Sequence, residues 1–377
     1  MTSFDQRVAR EEATPQTTVS RRTIVKGAAW SVPIVAAAVA VPAYAASPDC
    51  AGTATVTAND YEKGVLTVTL PACARTVSYV VLGGGGGTAQ NVSYSGCGAK
   101  ITGTLAVSGG EVLTLVAGGG GGNRGMAPVR ATGWGDGGMG SVYYDTALGR
   151  DNFAAGGGGA GSAILLGADP STSGTPLIVA GGGGGMPFAT SWAQSGPDAY
   201  WLGANVGWGG SAEPAQDNIG DGGISETPMG TTMTEIARHG VPGTPTAAGA
   251  GGLAELSGAP LARGLAGGAA SGHDGGDAAA VDVRTDSETL FLSTGGAGGG
   301  GGGWYGGGAA ATVWTVDKPH GAGGGGAGAS NYYGGATPGA SANVGSVSIP
   351  YPTDVWIGSW DRNPAGFVLG SVTISWS

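Results

Sequence analysis

An all-β protein organised around a glycine-rich interior is the fold class that the sequence predicts, and three observations carry that prediction. Of the 377 residues 82 are glycine, about three times the usual share. Hydrophobic residues make up 41% against only 11% charged, so disorder through charge excess is excluded. Short apolar runs with strand-like alternation interrupt the glycine throughout, and no collagen-like three-residue period runs through the chain. A Gly/Ser linker is excluded by the same apolar runs.

In chain order, the first element is an address. Ser20 to Lys26 read SRRTIVK, a twin-arginine-type export signal. A short apolar stretch follows to Val41, and Ala43-Tyr44-Ala45 supplies an A-x-A cleavage site. Pro33 and Pro42 interrupt that stretch, which is shorter than the ~20 residues needed to span a bilayer. The expectation is removal of residues 1–45 and a secreted or cell-surface-associated product. Such a product keeps 11 basic and 23 acidic residues, a net charge of −12. An acidic surface repels nucleic acid and anionic lipid, so neither is an expected partner.

Residues 46–116 are expected to supply the first strands. Gly64 to Leu70 (GVLTVTL) alternates, and Val77 to Leu82 (VSYVVL) runs directly into Gly83–Gly87. Ile101 to Val107 and Glu111 to Val116 predict a hairpin across Ser108-Gly109-Gly110. Cys50, Cys73 and Cys97 lie close together, and export permits one disulfide among them, with three pairings open. No C-x-x-C spacing supports a metal site instead.

Residues 117–345 are expected to form the glycine-rich part. Glu111–Val116 empties into Gly118–Gly122, and Leu177–Ala180 into Gly181–Gly185. Further runs are Gly156–Gly159, Gly298–Gly303 and Gly323–Gly326. Residues 186–297 read as a long loop insertion whose helical hints are Thr234–Arg238 and Gly251–Leu265. Residues 346–377 close the structure with the strand Phe367 to Trp376.

Glycine runs cost more backbone entropy than any other sequence. Two readings exist: flexible loops, or extended polyproline-II-like glycine helices packed side by side. The second has three residues per turn and no internal hydrogen bonds, so every buried N–H and C=O must pair with a neighbouring segment. Five residues then span about 15 Å, a length suited to a bundle of short rods.

The succession VSYVVLGGGGG, GEVLTLVAGGGGG, FAAGGGGAGSAILL, PLIVAGGGGG, GGAGGGGGGWYGGG and GSVTISW resembles the glycine-rich extracellular domain of the anaplastic lymphoma kinase and leukocyte tyrosine kinase receptors. The resemblance spans about Gly64 to Trp376. It implies a jelly-roll β-sandwich of the tumour-necrosis-factor type with an inserted bundle of polyglycine helices, and a ligand-binding role. Receptor-binding adhesins of some phage tail fibres carry similar bundles. The cysteines depart from the receptor pattern, and no ligand-contact residue carries over.

Chemistry is sparse. G-x-G-x-x-G recurs only because the runs are glycine, and no P-loop or G-x-S-x-G elbow occurs. The reading is therefore not an enzyme, with no cofactor and no metal beyond a weak calcium candidate at Asp274 and Asp277 in the turn His273–Asp277. Ordinary Asp-Gly turn chemistry explains that turn as well. Trp192, Trp201, Trp208, Trp304 and Tyr305 are candidate binding aromatics, since rings in loops offer contact area at low entropic cost. Capping the glycine bundle or filling the core is their alternative role. The expected function is non-catalytic recognition or adhesion, with loops on a rigid scaffold meeting a cell-surface protein or glycan. A structural role in the cell envelope is the alternative. Ice binding and a hydrolase with its residues in the 186–297 insertion rank below these.

Overall fold

Two antiparallel sheets are built from strands of two kinds. Residues 52–57, 64–69 and 76–82 alternate in burial as they alternate in sequence, while 112–117 and 162–166 are buried on both faces. A computed structural model describes residues 50–87, 95–124, 127–144, 153–189, 225–229, 233–257, 262–279, 281–282, 295–315, 321–323, 326–334, 343–348 and 369–377. Nine strands carry the sheets: β1 (Gly52–Thr57), β2 (Gly64–Thr69), β3 (Thr76–Leu82), β4 (Lys100–Ala106), β5 (Val112–Ala117), β6 (Ser162–Leu166), β7 (Thr175–Ala180), β8 (Asn343–Ser348) and β9 (Ser371–Trp376). The five-stranded sheet has the order β1-β9-β3-β4-β8, and the four-stranded sheet β7-β6-β5-β2. Every pairing within both is antiparallel. The described residues contain strands and no helix.

In β3, Val77, Tyr79 and Val81 are buried while Thr76, Ser78 and Val80 face solvent. In β9, Val372 and Ile374 are buried. These side chains form one apolar cluster with Ile101, Leu105, Leu113, Leu115, Ile164 and Ile178, so both sheets feed the same core. Fully burying a side chain of this size stabilises by about 1.5–3 kcal/mol.

The expected hairpin of Ile101–Val107 and Glu111–Val116 is corrected. β4 pairs with β3 and β8, whereas β5 pairs with β2 and β6, so the turn carries the chain from one sheet to the other. Each end of the turn is bonded to a strand of its own sheet's neighbourhood. Val107 N–H donates to the Arg75 carbonyl, and Gly110 N–H to that of Leu70. The reason is burial: Ile101 with Leu105 and Leu113 with Leu115 meet across the core from opposite sides. A flat hairpin would place both pairs in one sheet.

The helical hints also give way to strands. Thr234–Arg238 coincides with a strand at Met233–Ala237, and Gly251–Leu265 contains strands at Ala254–Ser257 and Ala262–Leu265. Ladder pairing, on both sides of Met233–Ala237 and on one side of the other two strands, overrides the helix-forming Ala, Glu and Leu. The stretch 186–297 thus holds paired strands rather than irregular loop alone, and β6 and β7 lie inside the stretch expected to be glycine-rich interior.

The glycine segments that leave the strands hydrogen-bond to one another with a period of three residues. Gly156 and Gly159 donate to Met186 and Gly183, Gly157 and Ala160 to Gly122 and Gly119, and Gly158 and Gly161 to Gly138 and Gly135. The segment 299–304 repeats the rule. Gly299 and Gly302 reach Gly156 and Gly159, Gly300 and Gly303 reach Gly276 and His273, and Gly301 and Trp304 reach Ala327 and Ser330. These twelve bonds measure 2.8 to 3.3 Å. Three consecutive residues therefore bond to three different neighbours, whereas a strand bonds to two neighbours in one plane.

Side chains are excluded by the same closeness. A Cβ on Gly158 would fall on the Gly300 carbonyl, and one on Gly300 on the Gly307 carbonyl. Ala155, Ala160, Ala297, Ala309, Ala310, Ala311 and Ala327 are fully buried in these segments at places that accept a methyl group. Cys50 and Cys73 form the disulfide, with Cα atoms 5.7 Å apart, which ties the start of β1 to the loop between β2 and β3. Cys97 lies outside that bond and is buried, and burial raises its thiol pKa.

Candidate functional site

The turns at one end of the glycine network gather aromatic side chains. Trp304 and Tyr305 sit in the bend between segments 298–303 and 306–311, Trp134 in the bend at 133–135, and His273 in the turn Ser271–Asp274. Tyr332 follows the segment 326–330. Gly135 at φ 114° and Gly272 at φ 60° make two of these bends, in the backbone region that side chains disfavour.

The rings pack on one another. Trp304 stacks on Trp134 with centroids 5.9 Å apart and planes at 11°, and meets Tyr332 at 4.2 Å. Tyr305 stands edge-on to Trp304 at 5.6 Å. His273 lies 4.6 Å from Trp134 and 5.4 Å from Trp304. Trp134 is fully buried, while Trp304, Tyr305, Tyr332 and His273 are half-buried. Beneath them lie Val116, Ala163, Leu165 and Val179, residues of β5, β6 and β7 that point away from the main core. The aromatic cluster thus joins the glycine network to the outer face of the four-stranded sheet.

Polar contacts fix the cluster. The Trp304 indole N–H donates to the Pro245 carbonyl at 3.1 Å, in an exposed turn at residues 244–247. His273 Nδ1 bonds to the Trp304 carbonyl, and Ser330 Oγ accepts from the Tyr305 N–H at 3.0 Å. Of the five aromatics singled out by sequence, Trp304 and Tyr305 come together here, while Trp192, Trp201 and Trp208 lie outside the described residues. Sequence reasoning missed Trp134. Its signal was present: like Trp304, it sits on a tight bend flanked by glycine, in ATGWGDGG.

The two acids of the turn have partners. Asp274 Oδ1 accepts from the Asp136 N–H at 2.8 Å. Asp277 Oδ1 accepts from the Met139 N–H at 2.8 Å and from Arg130 Nη2 at 2.7 Å, and Arg130 also reaches Oδ2. Arg130 and Asp277 form a half-exposed ion pair, worth about 1 kcal/mol or less. Asp136 accepts from the Gly133 N–H at 3.0 Å. Burial, reinforced by the neighbouring Asp274 carboxylate, nonetheless raises the Asp136 pKa. The Asp136 bond to Gly133 is local and closes a bend, as Asp-Gly turn chemistry does. Asp274 and Asp277 instead reach across to the 130–139 segment and tie the two turns together. Among the described residues no three His, Cys, Asp or Glu side chains are grouped as metal ligands.

No helix among the described residues is long and apolar enough to cross a membrane. No protein-family model matches the chain, and no curated protein sequence matches it.

Proposed function

We propose that the chain is a secreted, non-catalytic recognition or adhesion protein whose rigid interior holds loops for a cell-surface protein or glycan. The observation that carries the reading is the period-three hydrogen bonding of the glycine segments. It matches the three-residue turn of a polyglycine helix, and it makes a stiff body out of the most flexible residue. On this reading the two sheets are the halves of a jelly-roll-like sandwich, supported by the core they share. The glycine segments are the inserted helix bundle. The likeness to the glycine-rich receptor domain and the twin-arginine-type signal supply the ligand-binding and export parts of the proposal.

The bundle end with Trp304, Tyr305 and Tyr332 is the place where the scaffold presents aromatic surface beside an exposed turn. The experiment is to apply the oxidised, exported protein to arrays of glycans, cell-wall polymers and surface proteins, with Tyr305→Ala and Tyr332→Ala alongside. Binding lost in either variant at unchanged melting temperature supports recognition by this end. A folded protein that binds nothing on any array, yet stays on washed cells until the wall is dissolved, is instead a structural envelope component. Turnover of a polysaccharide or peptide overturns the non-catalytic reading.

A further inference from the structure

The two sheets have four edges, and they are not treated alike. On β7 the outer edge is closed: Pro176 has no N–H to offer, and Val179 exchanges both backbone bonds with Tyr332 at 2.9 and 3.0 Å. On β8 the pairing register shifts between Val344 and Ser346, and a bulge of this kind twists an edge away from further pairing. Neither device exists on β1 or β2. Both are six-residue strands of regular register, GTATVT and GVLTVT, without proline, charge or bulge. β1 hydrogen-bonds only to β9 among the described residues, and β2 only to β5. Both open edges lie on one side of the molecule, since the start of β2 at Gly64 lies against Val56 and Thr57 of β1.

An open edge of unpaired N–H and C=O groups is a template for another strand, and proteins that work alone blunt such edges. We infer that the β1 edge is the docking surface for β1 of a second copy, which makes the five-stranded sheet continuous through a two-fold pair. Charge favours this occupant. The chain carries a net charge of −10, so copies repel over most of their surface, but residues 52–57 are charge-free. Side-chain pattern favours it too. A strand added beside β1 has to present hydroxyls outward and small apolar groups inward, as Thr53, Thr55 and Thr57 alternate with Ala54 and Val56. A two-fold axis brings in a strand that already has this pattern. The disulfide at Cys50 holds the start of β1 in place for pairing. The inference stands apart from the choice of ligand, although pairing would double the binding sites presented to a surface.

The test is the mass of the oxidised, exported chain in solution by sedimentation across a range of concentrations. It is compared with Thr55→Lys on the open edge and Thr175→Lys on the closed edge. The expected result is a dimer that Thr55→Lys weakens by about tenfold or more while Thr175→Lys leaves it intact. Hydrogen exchange gives a second readout that needs no variant: amides of residues 52–57 gain protection as concentration rises, and those of β8 do not. A wild-type chain that stays monomeric throughout overturns the inference. So does a dimer in which folded Thr55→Lys associates as well as wild type, or one with no concentration-dependent protection in β1.

Discussion

The sheets and the glycine segments solve one problem in opposite ways. In the sheets, burial is carried by side chains: Ile164, Ile178, Leu113 and Ile374 interlock, and the backbone pairs in a plane. In the glycine segments, burial is carried mainly by the backbone, and neighbouring segments approach until carbonyl oxygens occupy the space where most side chains would begin. The first region tolerates loss of a methyl group at modest cost, whereas glycines of the second such as Gly158 and Gly300 have no atom to give up and no room to receive one. Specificity therefore rests on shape in one region and on the absence of shape in the other.

The sharpest way to break this contrast is to add one carbon. Gly158→Ala drives a Cβ onto the Gly300 backbone and is expected to prevent folding or to cost more than the about 1–3 kcal/mol of ordinary overpacking. Gly110→Ala is the control, since its φ of 86° meets no neighbouring atom, and it should cost only about 1 kcal/mol. Chemical denaturation of both proteins measures the gap, and equal costs would refute the contrast. Next in size is subtraction from the sheets. Ile164→Ala empties part of the fully buried core and should cost about 2–5 kcal/mol while the protein still folds.

Removing the covalent staple comes third. Cys73→Ser opens a loop of sequence separation 23 and should cost about 3 kcal/mol, read as a lower melting temperature that matches wild type under reductant. The smallest effect is electrostatic. Because the folded protein raises the Asp136 pKa, the stability linked to this group is full below the carboxylate's unfolded value. It is lost as pH rises through the folded value. Asp136→Asn keeps an oxygen for the Gly133 N–H and removes the titration, so its melting temperature should fall less between acid and neutral pH than that of wild type.

Much of the sheet core was legible because alternation is a local signal. Val77, Tyr79 and Val81 announce their inward face within one strand, and so do Val372 and Ile374. Pairing was not local. Nothing between Ala106 and Val112 distinguishes a hairpin from a crossover, since the choice is made by β2, β6 and β8 elsewhere in the chain. Glycine is silent for a related reason: a run such as Gly156–Gly159 reads the same whichever neighbours it will meet, and those neighbours are Gly122, Gly138 and Gly183. At the candidate site, Trp304 and Tyr305 were visible by their glycine flanks. Their partners Trp134, His273 and Tyr332 converge only after the segments align.

The period-three network also bears on how this protein responds to temperature. Exposing apolar surface raises the heat capacity of unfolding, and exposing peptide groups lowers it. A chain that buries so much bare backbone, as in segments 156–161 and 299–304, is expected to show a smaller heat-capacity change than a side-chain-filled domain of equal length. Its stability curve is then flatter, with little loss on cooling, which would suit the rigid exported scaffold proposed above.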